Sequence, residues 1–426
     1  MAAALTAPAP ERPTGASALA SVGLFAGIGG IELGLAAAGF RAEVLCEIDP
    51  FAQAVLRAHF PGARLETDVD DLAPSKLPKG YGLLAAGFPC QDISQAGLMR
   101  GVGSHDDGAD ERTRSGLIWK VLNLVEQEKT APEWFLLENV PNLLRIDKGK
   151  ALRAITQWLD ENGFMWAYRV MDSRAFGLPQ RRQRIYILAS RKHDPRPVFF
   201  GVDAGEPGTP EHEGLAVGFY WTEGRGGLGW AVDAVPTLKN GSTIGLASPP
   251  AIWLPDGNIV KPDIRDGERL QGFAEDWTLP AMDVAGAKPG ARWKQVGNAV
   301  SVPVAAWIGQ RLVSPGRYDP SAGTPLVDGE PWPVAAWGCK GKTVRADGTS
   351  TWPIRAERPH LADFLNHGGE LLSERATRGF LKRLDEGSMR PPADFKQAIE
   401  RHLSRVASRA EVAPTASAKG TASSAT

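Results

Sequence analysis

The chain has 426 residues, 43% of them hydrophobic, and its acidic and basic side chains nearly balance at a net charge of −1. That length allows two or three globular domains, and the balance excludes a bulk polycation. No run reaches the roughly 18 consecutive apolar residues that a membrane-spanning helix needs. The three cysteines, Cys46, Cys90 and Cys339, are too few and too scattered for a disulfide framework. Neither C-x-x-C nor H-x-x-x-H occurs, so no metal site is expected. The first sixteen residues carry only Glu11 and Arg12 as charges and show no signal-peptide pattern. The cytoplasm, at the nucleoid, is therefore the expected compartment, and no membrane partner is expected.

In chain order, residues 1–16, rich in alanine and proline, read as a disordered extension. From 17 to 190, apolar runs alternate with helical periodicity, which predicts an α/β domain with a mainly parallel sheet. Residues 19–25 (LASVGLF) form a buried strand and 30–39 a helix. Further strands are predicted at 42–47, 82–88, 134–139 (WFLLEN) and 184–190 (RIYILAS), with a helix over 114–128. From 191 to 262 glycine and proline become dense and regular periods vanish, as expected of a separate loop-rich module. Helical texture returns at 265–273 and 297–312, so residues 263–314 read as a return to the first domain. Residues 317–407 form a C-terminal accessory module, and the Ala/Ser/Thr-rich stretch 408–426 reads as a disordered tail.

Several turns between these elements carry residues suited to chemistry. LFAGIGG (24–30) places Gly27, Gly29 and Gly30 at a strand-to-helix turn, where the backbone can approach a ligand and helix N–H groups are free. The next strand ends at Glu47, at the interval where nucleotide-binding folds set an acid against ribose hydroxyls. Asp68 could accept from an adenine amino group or simply stabilise a turn. GFPCQDIS (87–94) sets Cys90 at the carboxyl edge of the sheet. The glycine-spaced stretch 91–112 that follows is a candidate closing loop. Glu138 ends a buried apolar strand, which is costly unless the carboxylate is paired or functional. QRRQR (180–184) brings Arg182 and Arg184 two apart, on one face if the segment is extended. Eight basic residues between Arg169 and Arg196, against Asp172 and Asp194, make a local strip suited to phosphate.

The ordered set FAGIGG, EID (47–49), GFPCQ (87–91), ENV (138–140), QRRQR, ERLQGF (268–273) and GNAV (297–300) resembles the DNA cytosine-5 methyltransferases over roughly residues 20–313. The resemblance implies a Rossmann-like, S-adenosylmethionine-dependent methyltransferase fold with a mixed sheet. It places a target-recognition domain at 191–262, where Thr237-Leu238 matches a family pair. It implies Cys90 as nucleophile on cytosine C6 and Glu138 at N3. Arg184 would lie against Glu138 and the base carbonyl, and Arg182 would support the Cys90 loop. Phe25, Gly27, Gly29, Gly30, Glu47, Asp68, Pro89 and Asn298 would contact S-adenosylmethionine. The implied substrate is double-stranded DNA with the base flipped out, and the enzyme is expected to act as a monomer. A cognate restriction endonuclease is an open partner. The same chemistry on tRNA is the alternative, but that branch carries a Cys-Phe-Thr that the target region here lacks. No residue stands out as the base for the C5 proton.

Overall fold

The computed structural model describes residues 19–88, 116–127, 132–223, 227–241, 249–288, 290–389 and 391–412. The predicted amino-terminal extension, Pro89, Cys90, the loop 91–112 and the end of the predicted tail lie outside the described residues.

The first wind runs β1 (Leu19–Leu24), α1 (Gly30–Ala36), β2 (Phe40–Cys46), α2 (Pro50–His59), β3 (Arg64–Glu66) and β4 (Leu83–Gly87). It continues through α3 (Gly116–Gln127), β5 (Trp134–Asn139), α4 (Lys150–Glu161), β6 (Met165–Asp172), the short β7 (Gln180–Arg181), β8 (Gln183–Ser190) and α5 (Arg196–Phe200). Asp49 caps α2, its side chain accepting the Phe51 N–H at 2.9 Å, and Pro50 starts the helix at a position whose N–H would be unpaired anyway. Short strands follow: β9 (Val217–Phe219), β10 (Ala231–Val232), β11 (Val235–Pro236), β12 (Ala251–Trp253) and β13 (Ile259–Lys261). Helices α6 (Ile264–Arg269), α7 (Gly290–Asn298) and α8 (Val302–Val313) come next. The chain ends with β14 (Thr324–Pro325), β15 (Ala335–Cys339), β16 (Lys342–Arg345), α9 (Leu361–Phe364), β17 (Glu370–Leu371), α10 (Glu374–Glu386) and α11 (Ala393–Val412).

Among the described residues, a ten-stranded sheet has the order β14-β16-β15-β6-β8-β5-β4-β1-β2-β3. Its β5-β4-β1-β2-β3 half is parallel, and the half from β8 outward is antiparallel. Both faces are covered. One packs Ile118 and Leu122 of α3 and Leu152, Ile155 and Leu159 of α4. The other packs Ile31 and Leu35 of α1, Val198 and Phe199 of α5, and Trp307 and Ile308 of α8. Burial on both faces explains why the central strands are almost uniformly apolar. A second, five-stranded sheet has the order β10-β9-β12-β13-β17.

Three boundaries differ from the sequence expectation. Residues 196–200 form α5 against the first core, so the change of texture at 191 precedes the small sheet, which begins at Val217. Residues 317–407 are not one module. Their β14–β16 extend the large sheet, with β15 pairing β6, whereas β17, α10 and α11 join the small one. The cause is long-range pairing by strands too short to show a period in sequence. Finally, α11 continues to Val412, four residues past the expected start of the tail at 408.

Candidate active site

In the parallel half of the large sheet, the pairings Leu24–Cys46, Leu24–Ala86 and Gly87–Glu138 align the carboxyl ends of β1, β2, β4 and β5 at one edge. The loop after β1 turns through Phe25 (φ 54°), Gly27 (φ 55°) and Gly29 (φ 83°), all left-handed. For Phe25 that conformation costs about 1–2 kcal/mol, which the surrounding fold must hold in place. Gly30 opens α1 so close to the return segment that a Cβ there would meet the Val300 carbonyl oxygen at 2.3 Å. Glu47, just past β2, accepts the Gly27 N–H on Oε2 at 2.8 Å and the Asp49 N–H on Oε1 at 2.9 Å. Burial pushes its carboxyl above the ordinary range, and those two N–H groups only partly offset this. Beside it, Ile48 is 69% exposed, an apolar side chain left open at the sheet edge.

Glu138, the last residue but one of β5, is buried, with Oε1 at 3.1 Å from Nε of Arg184. Burial raises its pKa, and the positive charges of Arg184 and Arg182 do not fully cancel that. A Cβ on Gly87 would lie 3.5 Å from Glu138 Oε2 and 3.7 Å from the Phe25 carbonyl oxygen, so the carboxyl and the Gly27 loop flank one backbone position. Next to Glu138, Asn139 donates through Nδ2 to the Phe88 carbonyl at 3.0 Å, while its Oδ1 accepts the Val140 N–H at 2.8 Å. Asn139 thus anchors the chain one residue before Pro89-Cys90.

Of the two described thiols, Cys46 is the one at this edge. It is buried, and burial followed by the charge of Glu47 pushes it up to about 12. Cys339 lies on β15, which β6 and β8 separate from β5.

The Cys90 loop that Arg182 was expected to support lies outside the described residues, and the described contacts of Arg182 are with other segments. Arg182 is buried, and its guanidinium donates to the carbonyls of Leu238 (3.1 Å), Gly297 (3.2 Å) and Ala299 (2.6 Å). Around it the remaining motifs interlock. Gln180 donates to the Leu270 carbonyl at 2.8 Å and accepts the Leu238 N–H at 3.1 Å, and Thr237 donates to the Arg181 carbonyl at 2.8 Å. Gln271 donates to the Val296 carbonyl at 2.9 Å and accepts from Ser301 at 2.9 Å. Gly297 is needed there, because a Cβ would fall 2.3 Å from the Lys239 carbonyl carbon. A buried hub like this, in which Arg182 Nε alone of the guanidinium nitrogens meets no partner among the described residues, fixes one arrangement of four chain segments.

The basic strip expected at 169–196 is largely engaged inside the protein. Arg169 is fully buried, donating to the carbonyls of Ser350, Phe199 and Val202 and pairing with Asp203. Arg174 pairs with Asp172, Arg196 with Asp194, and Arg184 with Glu138. The partners of Arg174 and Arg196 lie two residues away and those of Arg169 and Arg184 far along the chain, so the run does not form one open surface.

Asp68 caps a short turn by accepting the Asp70 N–H at 3.0 Å, and its charge reaches Cys46. Asn298 is the exposed last residue of α7. That helix returns to the Glu47 edge, because Lys294 and Gln295 donate to Asp49 Oδ2 at 3.0 and 3.1 Å. Asp49, Ile48 and Asn139 were not singled out in the sequence, although each lies inside a quoted motif, EID or ENV. Glu268 likewise has a structural partner set: the Thr278 N–H at 2.8 Å and Arg292 at 2.9 Å.

The family model for C-5 cytosine-specific DNA methylase matches residues 19–212. A Type II methyltransferase of Bacillus subtilis (strain 168), M2.BsuMI, is 48% identical over 372 residues, covering 85% of this chain and 92% of that protein. The chain belongs to the C-5 cytosine-specific DNA methylase family. The Type II methyltransferase M.NlaX of Neisseria lactamica is 31% identical over 320 residues, covering 68% of this chain and 95% of its own length. Among solved structures, the Entamoeba histolytica methyltransferase EhMeth superposes with a TM-score of 0.50 at 14% identity, over 70% of this chain and 98% of that one, a likeness of fold. The enzyme is therefore a DNA cytosine-5 methyltransferase with the mixed α/β methyltransferase fold.

Proposed function

We propose that the enzyme methylates carbon 5 of a cytosine flipped out of double-stranded DNA, through a covalent bond between Cys90 and C6, with S-adenosylmethionine as donor. One observation carries this reading. The buried Glu138–Arg184 pair sits at the carboxyl edge beside both the Gly27 loop, which Glu47 holds, and the anchored Phe88 carbonyl.

The residues present fit a nucleoside cofactor. Glu47 offers a half-buried carboxylate held by two backbone N–H groups, the chemistry that suits vicinal ribose hydroxyls. Ile48 exposes an apolar side chain of the kind a purine face covers. Phe25, Gly27, Gly29, Gly30, Asp68, Pro89 and Asn298 complete the set assigned to this cofactor. When bound, S-adenosylmethionine supplies an electrophilic sulfonium methyl group.

Cytosine C5 is too poor a nucleophile to take that methyl unaided. Addition of the Cys90 thiolate to C6 moves electron density to C5. Glu138 assists by holding a proton at N3 as that density develops, and a carboxyl raised by burial is suited to the task. Arg184 orients Glu138 and the base carbonyl. Arg182 acts one step back, keeping 238 and 297–299 against the catalytic edge. Loss of the C5 proton then expels the thiol and restores the ring. Flipping the base costs a few kcal/mol of stacking and pairing.

Sequence reading is assigned to the module within 191–262, specifically the small sheet from Val217 to Lys261. The Type II names of both relatives favour a cognate restriction endonuclease as functional counterpart. The test is methyl transfer from labelled S-adenosylmethionine to DNA. Cys90→Ser should abolish it while cofactor binding persists, and Cys46→Ser and Cys339→Ser should stay active. Ready turnover by Cys90→Ser contradicts the mechanism.

A further inference from the structure

We infer that residues 370–412 belong to the DNA-reading layer, and that Arg383 on α10 is a positioning residue that sets this layer against the catalytic edge. The inference rests on the assignment of sequence reading to the small sheet.

The sheet is incomplete without the carboxyl-terminal chain. Its outermost strand is β17, which pairs Leu371 with Val260 and Glu370 with Lys261. Its apolar face is closed by Phe380 and Leu384 of α10 and Phe395 and Ile399 of α11, packed on Phe219, Leu228, Ala251 and Ile259. His402 is fully buried and joins two strands of the layer, with Nε2 on the Leu372 carbonyl at 2.8 Å and Nδ1 facing the Ile259 N–H at 3.4 Å. The Bacillus relative fits this too, because its match to 85% of the chain cannot be met by residues 1–313 alone.

From α10, Arg383 reaches the segment that follows β9. Its Nε donates to the Glu223 carbonyl at 2.9 Å and its Nη2 to the Trp221 carbonyl at 2.8 Å, a fork across two nearby carbonyls. The segment it grips is connected onward in both directions. Trp221 Nε1 donates to the Pro249 carbonyl at 2.9 Å. Tyr220 donates to the Thr237 carbonyl at 2.7 Å, and Lys239 lies 3.8 Å over the Tyr220 ring while pairing with Glu223 at 3.0 Å. Thr237 and Leu238 then bond Arg181, Gln180 and Arg182, two residues from the Arg184–Glu138 pair. A fork from α10 therefore fixes residues 221–223, and their neighbours fix the hub.

This differs from a phosphate contact by the exposed cations of α10. Arg378 and Lys382 point along their own helix to Glu374 and Glu386, and both are strongly exposed. Arg383 instead points inward, where its charge-assisted hydrogen bonds to two carbonyls replace water. A lysine at 383 would keep the charge but not the two-pronged geometry.

The test compares full-length wild type, R383M, R383K and R378M on the wild type's own target duplex and on duplexes with one base pair changed. For R383M, KM for the target duplex should rise about 10- to 100-fold, the loss expected for removing a charged hydrogen-bond pair. The ratio of target to near-target methylation should narrow, while cofactor affinity and kcat stay near wild type. R383K should recover part of the loss, and R378M should match wild type. R383M with wild-type KM and discrimination overturns the inference. So does a lowered melting temperature alone, or an equal loss in R378M, which would mean phosphate contact. A wild type that methylates no DNA cytosine sinks the functional reading itself, which distinguishes that failure from this one.

Discussion

Replacing Glu32 with glutamine should remove a pH-dependent weakness built into the cofactor-binding half of the enzyme. Glu32 lies in α1 with 5% exposure, and its carboxyl presses on β1, so that a Cβ on Gly23 would stand 2.1 Å from Oε1. Oε2 meets no partner among the described residues. Burial, and then the charge of Glu47, raises its pKa from 4.5 to about 7, opposed only by its own backbone N–H. A displacement of that size is worth about 3 kcal/mol. The folded chain holds this proton more tightly than the unfolded chain. The group therefore costs nothing below about 4.5, costs progressively more as pH rises towards 7, and imposes its full penalty above 7. Glutamine has the same shape and no charge. Unfolding followed at pH 5 and pH 8 should show Glu32→Gln near wild type at the lower pH. At the higher pH it should be more stable by up to about 3 kcal/mol, on the order of 3 °C in melting temperature for a chain of this length. The change also removes a negative charge beside Glu47. An identical stability difference at the two pH values would refute the argument, because it would show that Glu32 does not titrate between them.

Two further substitutions separate cofactor chemistry from base chemistry. Glu47→Ala should mainly raise KM for S-adenosylmethionine, whereas Glu138→Gln should mainly lower kcat, by about 10²–10⁴-fold, and calorimetry showing unaltered cofactor binding by Glu47→Ala would refute the first half. Phe395→Ala should cost about 3–5 kcal/mol, because the ring is fully buried against Phe219 and Trp230 with centroids 5.0 Å away in each case. Hydrogen exchange should then accelerate in 217–261 before it does in the large sheet; uniform acceleration would mean that the two sheets unfold as one unit.

The parallel strands were legible because strands buried on both faces are almost uninterrupted apolar runs, as in LLAAG at 83–87 and WFLLEN at 134–139. β6 was missed, since MWAYRVMD mixes bulky rings with two charged residues, Arg169, whose partners lie far along the chain, and Asp172, whose partner Arg174 follows the strand. The helical texture at 297–312 takes in the end of one helix and all but one residue of the next, because the chain leaves α7 at Asn298 and restarts at Val302 after Ser301, which is tied to Gln271. At the site, Glu47 and Glu138 were readable as acids ending apolar strands, a costly placement that marks function. Arg182 was readable only as one of a pair of arginines. Its partners, the carbonyls of 238, 297 and 299, are backbone atoms that no side-chain pattern announces. The division of 317–407 between two sheets was hidden for a related reason: strands of two to five residues pair through backbone groups common to every sequence.

The central claim is that Cys90 drives methylation of DNA at cytosine C5. Bisulfite sequencing of DNA from cells expressing either the wild type or Cys90→Ser tests it most directly. The account predicts that wild type protects cytosines within one short recurring sequence on both strands, and that Cys90→Ser protects none. Protection by Cys90→Ser at the same sites, or no protected cytosine with soluble wild-type enzyme, would contradict it.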